Sequence, residues 1–472
     1  RWVALGAAVS ALLCSLAIFL GYDRSPSAPA LQFVTRIDWI ASPRIQYLTG
    51  TDGIGVVLLL MTGIVAVACV LFSWNVTHRP RAFFGWMLAV IAGATGVFQS
   101  LDLVLLFVFY EAVILPKYLL IAIWGSKDRE YGAMKLTMYS VAGGGLVLLG
   151  ILLIAARPEA ASFSIAELAG AGFPSAFQHA LFPILCLGFG VLAGLWPFHT
   201  WAPTGHAAAP TAASMLLAGL VMKLGAYGIL RVAMPLCPEA LPHWRGVLAG
   251  LAVAGILAAA LVALARQDLK LVIGYSSVGH MGFVLLGLAT LDRLGITGAV
   301  LQMFSHAIIA GLLFAVAGRM LYDRTHTREL AKLGGLDLRR SMPFAAVIFV
   351  AASAASMGMP GFSGFVAELS VLLGVWRTSP WLLVPAGIGV VLTAAFTMRA
   401  LQTVLGPAGT EAPRDPALPL DPISGPEILG AGLLLGVSIW IGLFPGEFMD
   451  LIGRSLDQPM MHGILHPVGG AR

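Results

Sequence analysis

Residues 182–231, FPILCLGFGVLAGLWPFHTWAPTGHAAAPTAASMLLAGLVMKLGAYGILR, contain two apolar runs separated by a break that holds prolines and histidines. Lys223 lies in the middle of the second run. An ammonium group at the centre of a membrane helix costs about 2.5–3.5 kcal/mol, so it usually faces a partner or a water-filled path. Non-helical backbone persists at membrane depth only where protein or water satisfies its polar groups. The stretch therefore predicts an interrupted membrane helix beside a functional buried charge.

The composition of the whole chain is typical of a multi-pass membrane protein. Of the 472 residues, 58% are hydrophobic and 11% are charged, and the mean hydropathy is +0.89. These values exclude an ordinary soluble protein and predict an all-α polytopic fold. A span needs about 20 apolar residues, and about thirteen windows meet that length. The candidate spans are 1–21, 53–74, 82–101, 103–124, 132–154, 180–199, 208–234, 246–265, 271–290, 298–321, 343–373, 381–405 and 427–446.

The same inventory gives no sign of a cofactor or metal site. The four cysteines are scattered singly through or beside apolar runs, without a CxxC pair, and this excludes a sequence-evident iron–sulfur or zinc site. The net charge of +5 is modest, and no basic run with interleaved aromatics suggests nucleic-acid binding. No Ser/His/Asp set or phosphate loop stands out from the apolar background. We therefore expect neither a cofactor nor a metal in this chain.

Basic residues in the short loops predict the orientation, because cytoplasmic loops collect Lys and Arg. The segment 322–341 holds five of them and is placed inside. Counting spans outward puts the long loop 22–52 and the C-terminal tail outside. The same count puts further basic residues on the cytoplasmic side: Arg79, Arg81, Lys127, Arg129, Arg266 and Lys270.

Glu111 is the first notable charge inside a predicted span, between Phe107–Tyr110 and Val113–Leu115. Desolvation there disfavours the ionised carboxylate unless a cation lies near, which suits a proton-exchanging group. The alternative is a glutamate that bonds a neighbouring helix as part of the packing. Lys117 lies about 9 Å along and roughly 240° around a regular helix from Glu111, so the two cannot share a face. We expect Lys117 to contact another helix or to extend towards the interface.

Further ionisable residues accompany the later spans. Lys135, near the start of a span, is either an interfacial anchor or a functional group. His199 and His206 flank Pro203, which breaks the helix that a shared metal site would need, so hydrogen bonding to loop backbone is favoured.

Two histidines follow Lys223 in later spans, namely His280 and His306. A single buried histidine is usually a satisfied core residue, but several in line with Lys223 predict a proton relay. Glu368 then follows a second run interrupted by Gly and Pro. An interrupted helix with an ionisable residue close by thus occurs in each half of the chain, a pattern that indicates an inverted-repeat transporter.

Five ordered motifs carry a family resemblance over nearly the whole chain. They are FYEAVILPKYLLIAIWG at 109–125, the run from Trp196 to Arg231, RQDLKLVIGYSSVGHMGF at 266–283, LYDRTHTRELAKLGGL at 321–336 and GMPGFSGFVAELSVLLG at 358–374. The chain closely resembles the antiporter-like subunit M of NADH-quinone oxidoreductase, respiratory complex I. That resemblance implies fourteen helices in the family, with two inverted five-helix repeats, discontinuous helices and a polar axis along the membrane plane. It also implies that the first family helix precedes Arg1.

The resemblance implies how the chain is divided into segments and which parts of the reaction belong to other subunits. The single transmembrane domain 1–472 would comprise N-terminal helices at 1–101, a first antiporter-like half at 82–234, a second half at 246–405 and a C-terminal helix and tail at 427–472. Proton translocation would involve Glu111, Lys223, His280, His306 and Glu368. Flavin, iron–sulfur clusters and quinone would belong to other subunits, so this chain would be a non-redox membrane-arm subunit of the bacterial cytoplasmic membrane.

Four positions depart from the family, and the one at Leu192 is the most serious. Leu192 stands where a lysine is usual and Gly194 where a proline follows, while Thr204 and Ala208 replace acidic or polar residues. Glu111 therefore lacks its usual cation. Either Lys117 or Lys135 compensates, or the first half-channel no longer cycles.

Related assemblies are the alternatives. The same fold is similar to that of ion-pumping membrane-bound hydrogenases, multisubunit cation/proton antiporters and inorganic-carbon uptake complexes. A stand-alone solute transporter would need a substrate-sized polar pocket at the breaks, whereas the apolar surroundings of Lys223 favour protons or water.

Overall fold

The fold is a bundle of long apolar helices, seen in a computed structural model that describes residues 1–25, 27–42, 44–406 and 420–465. Twelve helices in these ranges are long and apolar enough to cross a membrane. They are α1 (Trp2–Gly21), α2 (Gly53–Phe72), α3 (Pro80–Gln99), α4 (Leu103–Trp124), α5 (Arg129–Ala155), α7 (Ser175–Ala193), α9 (Thr211–Leu236), α10 (Leu241–Ala265), α11 (Leu269–Ala289), α12 (Arg293–Thr325), α17 (Pro380–Leu405) and α18 (Gly425–Leu443).

Shorter elements connect or complete these spans. They are β1 (Gln32–Ile40), β2 (Ile45–Thr51), α6 (Ile165–Ala169), α8 (Trp201–Ala208), α13 (Leu330–Gly334), α14 (Leu338–Ser341), α15 (Pro343–Ser356), α16 (Ser363–Thr378), α19 (Gly446–Leu456) and α20 (Pro459–Leu465). The polytopic helical fold predicted from composition is confirmed.

Aspartates mark the start of several spans. The side chain of Asp102 accepts hydrogen bonds from the backbone N–H groups of Val104 and Leu105 at 2.9 and 3.0 Å. Such a cap satisfies donors that have no partner within the helix. Equivalent caps begin α2, α11 and α12 at Asp52, Asp268 and Asp292. The loops between spans can therefore be short without leaving helix ends unsatisfied.

Both interrupted helices predicted from the sequence are present. Helix α7 ends at Gly194, whose φ of 84° requires the left-handed conformation that glycine tolerates, and α8 resumes after the break. The predicted span 343–373 is likewise divided into α15 and α16, with Gly358 and Gly361 at φ of 71° and 98°. An inverted relation between the two halves remains a prediction.

Loop contacts sort the connections into two ends of the bundle. At one, here called the basic end, the Ser126 N–H donates to the Ala208 carbonyl at 2.8 Å, and the Leu269 N–H donates to that of Arg328 at 2.9 Å. This end gathers the loops for which the basic residues predict a cytoplasmic position. The cytoplasmic position of these loops stays a prediction, whereas their position at one end of the bundle is observed.

At the opposite end, here called the hairpin end, strands β1 and β2 form an antiparallel hairpin. The sequence indicated only an extramembrane loop at 22–52. The hairpin packs back on the bundle, because the Leu101 N–H donates to the Leu48 carbonyl at 2.9 Å. The Gln458 side chain donates to the Ala30 carbonyl at 2.6 Å, so the chain beyond α18 lies at the same end.

Helices α2, α9 and α12 form the centre of the bundle. Their most apolar windows are entirely buried by protein. By contrast, only 22% of the corresponding window of α1 and 28% of that of α17 is buried. Lys223 on α9 is therefore surrounded by other helices and kept from lipid, as an intramembrane charge requires.

A buried ion pair joins two of these central helices at the hairpin end. Arg231 on α9 lies 2.8 Å from a carboxylate oxygen of Asp52, and the two side chains are 2% and 0% exposed. The other carboxylate oxygen caps α2 through the Gly55 N–H at 2.9 Å. One aspartate thus begins one helix and fixes the end of another.

Removing the cation from this pair should destabilise the protein. Arg231→Met leaves Asp52 buried and unpaired, which costs about 3–5 kcal/mol of unfolding free energy. We expect less assembled protein on native gels and a lower inactivation temperature. The double variant Asp52→Asn with Arg231→Met, which keeps an oxygen for the cap, should recover part of the loss. Equal damage in the single and double variants would contradict this account.

Candidate functional site

Lys223 is the centre of the candidate site. It is fully buried and lies in an α-helical stretch, Met222–Gly228, between two π-helical segments, Leu217–Val221 and Ile229–Ala233. Its ammonium donates to the Ala218 carbonyl, which lies in the first of these π-helical segments. Such π-helical turns are frequent at functional sites.

A second contact links Lys223 to α12. Its Nζ lies 2.5 Å from Nδ1 of His306. The other ring nitrogen of His306 is buried and has no hydrogen-bond partner among the described residues. A lysine and a histidine at this distance can share one proton, but two positive charges would repel each other there.

His280 on α11 continues the series. Its ring centroid lies 5.4 Å from that of His306. Nδ1 faces the Ser276 carbonyl at 2.8 Å, and Nε2 faces the Ser356 carbonyl at 3.1 Å. Because each nitrogen has an acceptor, the ring can donate from both when it is protonated.

Glu368 on α16 ends the series. Its Oε1 lies 3.4 Å from Nε2 of His280 and accepts a hydrogen bond from Gln302 at 3.2 Å. A cavity of about 10 Å³ adjoins His280, Gln302, His306 and Glu368. That volume is about the smallest that can hold one water molecule.

Four of the five predicted relay residues therefore form one chain of contacts, Lys223–His306–His280–Glu368, contributed by four different helices. The fifth, Glu111, lies apart. Within the described ranges, no hydrogen bond or ion pair joins Glu111 to these four side chains. The geometry thus divides the predicted set into a connected group and a separate carboxylate.

Glu111 itself packs against α5. It is half-buried, but its Oε1 is fully buried and has no hydrogen-bond partner in the part of the chain that the structure describes. A methyl group at Gly144 would overlap this oxygen, so the missing side chain of the glycine makes room for the carboxylate.

The two lysines proposed to compensate lie in different places. Lys117 is 2% exposed, and its Nζ donates to the Ser140 hydroxyl on α5 at 2.9 Å. The expectation that it contacts another helix is confirmed. Lys135 donates to the Thr204 hydroxyl at 3.3 Å and is half-buried beside the break. The side chain of Leu192 is 2% exposed.

His206 differs from its prediction. Both of its ring nitrogens lack hydrogen-bond partners among the described residues, so the expected bonding to loop backbone is wrong. The ring instead stacks on Phe314, with centroids 4.5 Å apart and planes 17° apart. The break satisfies its backbone by another route, since the Ser214 hydroxyl donates to the His206 carbonyl at 3.0 Å.

Lys270 lies between the interior and the basic end. It is 2% exposed, and its Nζ donates to the Ala209 carbonyl at 3.0 Å. It lines a pocket of about 410 Å³ together with His78, Trp124 and Tyr322. The buried Lys270 therefore adjoins an open pocket at the basic end of the bundle.

A buried cluster of charges escaped the sequence reasoning. Glu427, at the start of α18, lies 2.7 Å from Arg324 and also contacts Arg319 at 2.5 Å. These arginines tie α18 to α12. The available signal was the Ser424–Glu427 spacing typical of a capping box, and the Ser424 N–H donates to the Glu427 carboxylate at 2.7 Å. The described residues contain no group of three or more His, Cys, Asp or Glu placed to hold a metal.

Comparison with known proteins gives the family of this chain. The family described as "NADH:quinone oxidoreductase/Mrp antiporter, TM" matches residues 100–394. The chain belongs to this family. The resemblance drawn from the five motifs is thereby confirmed.

Relatives match the chain over nearly its whole length. It is 38% identical over 464 residues to NAD(P)H-quinone oxidoreductase chain 4 2 of Synechococcus sp. (strain JA-3-3Ab), covering 96% of this chain and 85% of that protein. It is 36% identical over 469 residues to NADH-quinone oxidoreductase subunit M of Rhodobacter capsulatus, covering 97% and 89%.

Solved structures share the fold. A chain of respiratory complex I from Thermus thermophilus aligns with a TM-score of 0.88 at 26% identity, covering 99% of this chain and 95% of that one. A chain of the Mrp complex from Dietzia sp. DQ12-45-1b aligns with a TM-score of 0.82 at 21% identity, covering 98% and 94%. At that identity the second likeness shows the fold alone.

Two adjacent glycines test the position of the Glu111 carboxylate. Gly144→Ala places a methyl group onto Oε1 and should displace the side chain, whereas Gly145→Ala meets nothing within 4 Å. If Glu111 takes part in proton transfer, the first variant lowers the protons translocated per quinone reduced and the second leaves that ratio unchanged. Equal ratios in both variants would argue against a role that depends on this position.

Proposed function

We propose that this chain is a membrane-arm subunit of a complex I-type NADH-quinone oxidoreductase in the cytoplasmic membrane, and that it translocates protons. The observation that carries the proposal is the series Lys223–His306–His280–Glu368 inside the bundle, in which the two histidine rings are neighbours with centroids 5.4 Å apart. The likeness to subunit M and chain 4 proteins over nearly the full chain supports the parent assembly. Other subunits of such an assembly would partner this one.

The first step of the proposed mechanism is the sharing of a proton between Lys223 and His306. At a separation of 2.5 Å between the nitrogens, the pair holds one extra proton easily and two only at a large cost. Burial strengthens the repulsion because the surroundings screen charge poorly. A proton that arrives at Lys223 therefore drives another proton away from His306.

The second step carries that proton to His280. His306, whose Nε2 has no hydrogen-bond partner among the described residues, and His280 both border the cavity of about 10 Å³. One water molecule there would bridge the gap between the two rings, which are 5.4 Å apart by their centroids. Histidine suits this step since it takes up and releases protons near neutral pH.

Glu368 is the proposed acceptor. Its carboxylate oxygen lies 3.4 Å from Nε2 of His280 and would stabilise the imidazolium while the ring is charged. Transfer to the carboxylate leaves both groups neutral, which favours the step in a buried site. Electron transfer from NADH to quinone belongs, in this proposal, to flavin and iron–sulfur clusters in other subunits.

A multisubunit cation/proton antiporter is the second candidate, because the family description and a solved Mrp chain both include that class. The composition of the purified native assembly distinguishes the candidates. A flavin that NADH reduces supports the oxidoreductase. Nickel would favour a membrane-bound hydrogenase, and the lack of both redox groups would favour an antiporter.

Replacing the central lysine tests proton translocation directly. Lys223→Met removes the exchangeable proton and should lower the protons translocated per quinone reduced in vesicles that contain the whole complex. The matched control is Lys332→Met, because Lys332 is 68% exposed and pairs with Glu329 on the surface, where ion pairs contribute little. An unchanged ratio in the Lys223 variant would refute the proposed pathway.

A further inference from the structure

Glu111 and Lys117 lie on the two sides of an interruption in α4. The helix divides into Leu103–Ala112 and Ile114–Trp124, with Val113 between them. Pro116 has no N–H to donate to the carbonyl of Ala112, so the regular bonding pattern fails at this point. The two side chains therefore do not follow the geometry of a straight helix.

Both side chains reach the same face of α5. Glu111 packs against Gly144, and Lys117 donates to Ser140 at 2.9 Å. Ser140 and Gly144 are four residues apart, which on a helix is about one turn and about 6 Å. The buried ammonium and the buried carboxylate thus contact neighbouring positions of one helix.

Their hydrogen-bonding capacities are complementary. An ammonium group has three donors, and that of Lys117 makes one hydrogen bond among the described residues. The Oε1 of Glu111 accepts none within those residues although it is fully buried. The four-carbon stem of lysine can swing its charge over this distance.

Lys135 does not occupy this face. It is nine residues from Gly144 along α5, which corresponds to about 180° around the helix. Its Nζ donates to Thr204 at 3.3 Å and lies 5.8 Å from the ring centre of Tyr131. Lys117 is therefore the lysine on the Glu111 side of α5.

We propose that Lys117 is the positioning residue for Glu111, supplying from within α4 the cation that Leu192 cannot supply from α7. Lys117 alternates between two partners: it bonds Ser140 while Glu111 is protonated, and it pairs with the Glu111 carboxylate once that proton has left. This inference rests on the proposed proton translocation. In this inference the first half of the chain still transfers protons, and Lys117 takes the place of the lysine that the family usually has at position 192.

The test uses the complete complex in sealed vesicles and measures protons translocated per quinone reduced, with assembly checked on native gels. Lys117→Gln keeps a donor for Ser140 but loses the charge, and we expect the ratio to fall as far as it does in Glu111→Gln, because the two side chains act together. The ratio should fall equally in Lys117→Met. A loss with Met but not with Gln would indicate a packing role and overturn the inference.

A double variant tests whether Lys117 acts through Glu111. In a Glu111→Gln background, Lys117→Gln should lower the ratio no further, because Lys117 acts through Glu111. Additive losses in the double variant would overturn the inference.

The remaining variants separate this inference from the function on which it rests. If Lys223→Met lowers the ratio while Lys117→Gln leaves it unchanged, the pathway stands and the positioning role is refuted. If Lys135→Met lowers the ratio and Lys117→Gln does not, Lys135 is the compensating cation and the inference fails. An unchanged ratio in Lys223→Met refutes the pathway and the inference together.

Discussion

The contact between Lys223 and His306 is the interaction on which the rest of the structure depends. Two basic groups 2.5 Å apart, fully enclosed by helices, can hold one extra proton but not two. The enclosure requires α2, α9 and α12 to be covered on all sides. His280 and Glu368 lie next beyond the pair, and we propose that they accept the proton that leaves it. The helix packing that buries the pair is therefore also what limits the number of protons that the pair can hold.

The close ion pairs and the proposed proton-transfer residues occupy different parts of the bundle. Arg231 with Asp52 at the hairpin end, and Arg324 with Glu427 at the basic end, are close ion pairs that tie helices together. In the central series, by contrast, Nε2 of His306 has no hydrogen-bond partner among the described residues, and Glu368 lies 3.4 Å from His280. The ion pairs at the two ends hold the helices together, and the proton transfer that we propose takes place between the residues in the middle.

The sequence predicted the spans, both helix interruptions and the ionisable residues, because each has a local cause in apolar length, Gly or Pro. It did not predict which residues meet. Lys223 and His306 are 83 positions apart, and no local pattern encodes a contact between helices. The helix geometry that separated Glu111 from Lys117 assumed a straight α4, whereas the interruption at Val113 brings both to one face of α5. The hairpin was also missed, since its strands depend on pairing across the loop.

The most direct measurement of the central claim is the ratio of protons translocated to quinone reduced in the assembled complex carrying His306→Phe. Phenylalanine preserves the ring volume but can neither share a proton with Lys223 nor pass one towards His280. A single continuous pathway predicts that this one substitution lowers the ratio as far as Lys223→Met does. A ratio equal to that of the unmodified complex would contradict it.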